Sequence, residues 1–92
     1  MDVNFKWDLE KNKILMQDRG LCFEDVVSII HEDRIIDIIK HPNQEKYPNQ
    51  SIYIVELMGY VCMVPHVGND NEIFLKTIIP SRKMQKIYRS NL

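Results

Sequence analysis

The stretch "SIYIVELMGYVCMVPHVGNDNEIFLKTII", residues 51–79, sets the architecture of this chain. It holds three runs rich in β-branched and aromatic residues, 51–58, 60–67 and 72–79, divided by "MG" and "GNDN". Strand side chains alternate between faces, and glycine beside amides supplies the backbone freedom of a tight turn. The pattern therefore predicts a three-stranded antiparallel meander. Pro65 has no N–H to give a ladder, so its nitrogen must meet an open side or a bulge. With an even loop at both turns, Tyr53, Val55, Leu57, Tyr60, Cys62, Val64, His66, Ile73, Leu75, Thr77 and Ile79 share one face. Ile52, Ile54, Glu56, Met58, Val61, Met63, Val67, Glu72, Phe74, Lys76 and Ile78 share the other. A bulge in either hairpin would flip part of this assignment.

The flanking segments complete the architecture. "HPNQEKYPNQ" (41–50), with its prolines and amides, reads as a loop. "RIIDIIK" (34–40) has apolar spacing that fits a helix nearly as well as a strand, and its four isoleucines in seven residues favour the strand. Phe23, Val26, Val27 and Ile30 recur at i, i+3, i+4, i+7 and predict a helix to about His31. An earlier helix runs from Leu9 to about Arg19, capped by Asp8, with Glu10 in its first turn and Gly20 as its stop. "NFKWD" (4–8) suits a short first strand. After Pro80, Ser81 can cap a last helix over 82–90. The expected fold is α+β: an antiparallel four-stranded sheet open to addition of the short N-terminal strand, two N-terminal helices on one face, and a C-terminal helix. Ninety-two residues suffice for one domain, 1–92.

Composition excludes several classes. An apolar fraction of 45% with 27% charged residues is that of an ordinary globular domain, not a disordered one. "MDVNFKWDLEKNK" carries charge where an export signal needs an apolar run, and no stretch nears the roughly 20 apolar residues that cross a bilayer. A cytoplasmic location without membrane contact is expected. Cys22 and Cys62 lack C-x-x-C spacing and are expected to be reduced, buried thiols rather than a disulfide or metal ligands. Glu32 and Asp33 are adjacent and point apart, and three scattered glycines cannot build a phosphate loop. No metal and no cofactor is expected.

Charge is segregated. From Ile73 to Leu92 the chain carries Lys76, Arg82, Lys83, Lys86 and Arg89 and no carboxylate, so a formal charge of −1 leaves −6 over residues 1–72. On the last helix Arg82, Lys86 and Arg89 form a cationic stripe, and Met84, Ile87 and Tyr88 an apolar one. Helix N-termini attract anions, so Ser81 and these cations mark a path for a nucleic-acid backbone. A merely solvated helix face has the same pattern. Cleaving RNA without a metal needs help in deprotonating the 2′-OH, cations around the pentavalent phosphate and an acid for the leaving oxygen. The chain offers Lys76, Arg82 and Lys83 for charge, and Tyr88, His66 or His41 for proton transfer. Each histidine also has a plain structural reading: His31 at a helix end, His41 in an exposed loop, His66 packed beside Pro65. The second sheet face, apolar with Lys76 and Glu56 set in it, is either covered by the last helix or docks a partner.

"FKWDLEKN", then "RGLCFEDV" beginning eleven residues after Asp8, then the meander and "IIPSRKMQKIY", together resemble the BrnT-type toxins of bacterial type II toxin–antitoxin systems. That family opens F-x-W-D-x-x-K, continues G-hydrophobic-x-F-E and closes with a strand leading into a small-R-K-x helix start. The resemblance spans nearly the whole chain and rests on the order and spacing of all three segments. It implies a RelE-like fold and a metal-independent ribonuclease that inhibits translation, acting on RNA, free or as ribosome-bound mRNA. It also implies a cognate antitoxin of ribbon-helix-helix or similar type, through which alone operator DNA is met. The implied phosphate-binding and charge-stabilising residues are Lys76, Arg82 and Lys83, with Tyr88 placed by its position on the last helix. His66 completes the catalytic candidates. Ser81, Lys86 and Arg89 extend the RNA-binding set, and Ile54, Met63, Phe74 and Ile78 are the antitoxin-binding candidates. The alternative is a non-catalytic module that docks a partner through its apolar sheet face and touches nucleic acid through the basic C-terminal helix.

Overall fold

The computed structural model describes residues 3–89. Its first helix, α1 (Leu9–Arg19), begins where the Asp8 carboxylate accepts from the backbone N–H of Glu10 at 2.9 Å and of Lys11 at 3.2 Å. It ends at Gly20, whose φ of 69° is the left-handed conformation that closes a helix. The second helix, α2 (Phe23–His31), is preceded by Cys22, which makes no capping bond. The cap comes from α1 instead. Asn12 Oδ1 accepts from the Phe23 N–H at 2.8 Å, and Asn12 Nδ2 donates to Glu24 Oε1 at 2.8 Å. Trp7 stacks on Phe23 at 5.7 Å and holds the same corner from the strand side.

The strands are β1 (Asn4–Lys6), β2 (Asp37–Lys40), β3 (Ser51–Leu57), β4 (Tyr60–Gly68), β5 (Glu72–Leu75) and β6 (Ile79–Pro80). They form one sheet in the order β1-β5-β4-β3-β2, with β6 pairing β4 as well. Neighbours from β5 to β2 are antiparallel, but β1 adds to β5 in parallel, so the sheet is mixed rather than wholly antiparallel. The β3–β4 hairpin has the expected register, from Leu57 opposite Tyr60 to Ser51 opposite His66. Its two-residue turn holds Met58 and Gly59 at φ 54° and 76°. The β4–β5 turn is even, as expected, but is centred one residue later than the 68–71 loop of the sequence reading. Gly68 pairs with Ile73, and Asn69 Oδ1 accepts from the N–H groups of Asn71 and Glu72 at 2.8 and 3.0 Å. This moves the register by two residues and keeps the faces unchanged.

The expected third strand over 72–79 is broken, and Pro65 is the reason. Lys76 N–H donates to the Pro65 carbonyl at 2.8 Å, but Pro65 has no N–H to return the bond, so the ladder stops there. Pairing resumes with Ile79 opposite Met63, one residue out of step with Leu75 opposite His66. That extra residue is a bulge, and it exchanges the faces of the residues beyond it. Ile78 turns into the core at 2% exposure, and Ile79 turns to the other face and is exposed.

One core lies between the sheet and the two N-terminal helices, built around Phe23, Val26, Ile29, Val55, Cys62, Val64 and Leu75. A smaller core lies on the opposite face. There α3 (Arg82–Arg89) folds back and sets Met84 and Tyr88 against Ile52, Ile54, Val61 and Met63. Gln85 Oε1 accepts from the Val61 N–H at 2.8 Å, satisfying a β4 donor at the short edge made by β6. Two of the four expected antitoxin contacts are therefore not surface residues: Ile54 is 0% exposed beneath α3, and Ile78 is in the main core. Met63 is half-buried against the α3 side, and Phe74 remains exposed.

Candidate nucleic-acid interface

Ser81 begins α3 as expected. Its Oγ accepts from the Met84 N–H at 3.2 Å, which pins the first turn. Arg82 and Lys83 come next and are exposed, as is Lys86 one turn on. The side chain of Arg89, and residue 90 of the expected helix, lie outside the described residues. Lys76 is exposed on the bulge segment, where its Nζ donates to Gln50 Oε1 at 3.3 Å. Gln50 is itself buried at the end of the 41–50 loop and accepts from the His41 N–H through its carbonyl. These cations lie along one side of β4. Lys76 is tied at Pro65, and Ser81 N–H is bonded to the Val61 carbonyl at 3.1 Å. Four strand residues separate those anchor points, about 13 Å at 3.3 Å per residue. Lys76 and Arg82 are thus set apart along β4 and do not converge on one point.

The candidates for proton transfer are elsewhere. Tyr88 sits at the far end of α3, where its hydroxyl donates to Asp37 Oδ2 at 2.8 Å. That hydrogen bond to a carboxylate holds the Tyr88 phenol above its ordinary pKa, with a smaller contribution from burial. His66 is 8% exposed and stacked on Tyr53 with ring centroids 3.7 Å apart. Its Nδ1 lies 3.1 Å from the Val64 carbonyl, an acceptor only, so Nδ1 carries the proton. Burial lowers the His66 pKa, and the backbone bond offsets part of that effect. His66 is therefore a neutral packed ring near pH 7. His41 is occupied in its loop, where Nδ1 accepts from the Asn43 N–H at 3.0 Å. The structure brings Ser81, Arg82 and Lys83 together and sets Lys76 along the same edge. His66 is next to Lys76 in the ladder, opposite Leu75, but its ring is buried against Tyr53, and Tyr88 is held at the other end of α3.

A cavity of about 580 Å³, wide open to solvent rather than enclosed, lies beside Arg82, between the C-terminal end of α1 and the β3–β4 turn. Arg19 and Asp18 line it from α1, Leu57, Met58 and Tyr60 from the hairpin, and Cys62 forms part of its wall. Burial pushes the Cys62 thiol up to about 11, against weaker downward pulls from the Leu57 backbone and then from Arg19, so the thiol stays neutral. Cys22 is also a buried free thiol with a raised pKa, again chiefly from burial. Among the described residues no three His, Cys, Asp or Glu side chains are grouped as a metal site requires, and no helix is long and apolar enough to cross a membrane.

Sequence reasoning missed Arg19, Gln50 and Asp37. Arg19 entered the sequence reading only as the end of a helix, and nothing local indicates that the β3–β4 turn comes to lie near it. Comparison with protein-family models, with curated proteins and with solved structures yields no match.

Proposed function

We propose that this chain is an RNA-cleaving toxin of the type II toxin–antitoxin kind, RelE-like in fold and BrnT-like in family. It acts without a metal and is silenced by a cognate antitoxin of ribbon-helix-helix or similar type. The observation that carries this reading is the run of exposed Lys76, Arg82, Lys83 and Lys86 along one edge of β4 and the start of α3, in a segment without a single carboxylate. Such a run neutralises successive phosphates of a strand, and Arg82 and Lys83 at a capped helix start add charge where a pentavalent phosphate needs it. The antitoxin would dock on the apolar groups that α3 leaves uncovered, Phe74 and Ile79. It would meet operator DNA itself, while this chain meets RNA, free or on the ribosome.

The dispersal of His66 and Tyr88 favours a second reading, a module that binds RNA without cutting it. The two separate in cells. Induced expression without an antitoxin should arrest growth, and the double variant Lys76→Ala/Arg82→Ala should abolish arrest while purifying as a folded protein. Arrest that persists in the double variant removes the site assignment. Absence of arrest by the parent leaves the binding module.

A further inference from the structure

The cavity beside Arg82 has the composition of a nucleotide pocket. It is lined by two guanidinium groups from distant parts of the chain, Arg19 at the end of α1 and Arg82 at the start of α3. Among the described residues neither guanidinium forms an ion pair or hydrogen bond with the protein. Asp18 is the one acidic group on its wall and Cys62 is a neutral thiol, so the charged lining is net cationic. The rest is apolar or aromatic: Leu21, Leu57, Met58, Tyr60 and Pro80. A volume of about 580 Å³ lies within the usual range for small-ligand sites, roughly 300–1,000 Å³. Guanidinium forks match phosphate oxygens in pairs, and an aromatic ring with a polarizable thioether suits the face of a base.

The hairpin tip adds a conformational detail to the same lining. Met58 holds a left-handed backbone at φ 54° and is 78% exposed. This two-residue turn favours asparagine or glycine at that position, and a bulky side chain there costs about 1 kcal/mol. The turn imposes this conformation, and it sets the long, polarizable Met58 side chain at the wall of the cationic cavity.

We propose that this cavity receives one nucleotide of a bound RNA, with Arg19 and Arg82 on the phosphate and Met58 and Tyr60 against the base. The proposal rests on the RNA reading above and adds Arg19, Met58 and Tyr60 to its contacts. Arg82 links the two: it opens the cavity and begins the cationic edge, so a strand leaving the cavity continues past Lys83.

The test is an NMR titration of the 15N-labelled full chain with adenosine 5′-monophosphate, inorganic phosphate and a short single-stranded RNA. Arg19 is on the surface, so Arg19→Ala should keep the parent spectrum away from the cavity. The nucleotide is expected to shift the amides of Leu21, Gly59, Tyr60 and Cys62 saturably. Arg19→Ala should weaken it at least tenfold, and phosphate alone should bind at least tenfold more weakly than the nucleotide. Equal binding of phosphate, or no loss in Arg19→Ala, overturns the proposal. RNA that binds with shifts at Lys76 and Lys83 and is indifferent to Arg19→Ala overturns the cavity while leaving the RNA reading standing. RNA that does not bind at all overturns both.

Discussion

Gly68 shows how a single position fixes the sheet. Its φ is 149°, and a Cβ there would lie 2.1 Å from the Glu72 carbonyl oxygen and 2.8 Å from the Ile73 Cα, both of them backbone. Gly68→Ala should therefore destabilise the fold by about 2 kcal/mol or more in urea unfolding, whereas Gly59→Ala, with open space around it, should cost only its backbone strain, about 1 kcal/mol. His66 gives a pH signature. Burial lowers its folded pKa below the ordinary 6.5, so below that value the unfolded chain binds the extra proton more readily. Its contribution to stability is then complete above pH 6.5 and is lost as pH falls toward the folded value. Thermal midpoints should drop across that window, and His66→Phe should remove this part of the drop. At this scale the sequence is readable where a residue acts on its own neighbours, as Asp8 and Gly20 do. It is silent where a side chain acts at a distance, as with Gln85 on Val61 or Asp37 on Tyr88.

The elements show the same division. Both N-terminal helices have the boundaries their spacing and caps predict, because Asp8, Glu10 and Gly20 are local signals. The start of α2 is held from outside by Asn12, and this bond was not legible: asparagine in mid-helix is an unremarkable polar residue until the next helix folds against it. Asn12→Ala should cost about 1–2 kcal/mol in chemical denaturation, the range for losing a helix cap together with a second hydrogen bond. The last strand was legible only in part. Pro65 signals an interruption, but which residues absorb it depends on the partner strand, so the exchange of Ile78 and Ile79 between faces could not be read from alternation alone. On the second face α3 covers the centre, where Met84, Gln85 and Tyr88 tie it to the sheet over Ile52, Ile54 and Val61, and leaves Phe74 and Ile79 exposed.

For the whole molecule, hydrophobic patterning determines an α+β domain and charge patterning which side of it is cationic, whereas the parallel addition of β1 to β5, which makes the sheet mixed, is not written in the alternation of either strand. The segregation visible in the chain, five cations without a carboxylate after Glu72, becomes in three dimensions an edge along β4 and the start of α3. Lys76, Arg82 and Lys83 were legible as members of that edge because they are close in sequence. Arg19 was not, since only folding of the α1 end beside the β3–β4 turn places it by Arg82. Histidine and tyrosine were the least legible: residue type suggests proton transfer, whereas burial of His66 and the Asp37 bond to Tyr88 place them in structural surroundings. The proposal that the cationic edge cuts RNA without a metal turns on one assay. The purified chain is incubated with RNA in the presence of EDTA, beside Lys76→Ala/Arg82→Ala. Cleavage by the parent is expected, with cleavage by the double variant at least a hundredfold slower. Parent and variant cleaving at the same rate, or RNA bound by the parent without cleavage even on ribosomes, would overturn the proposal.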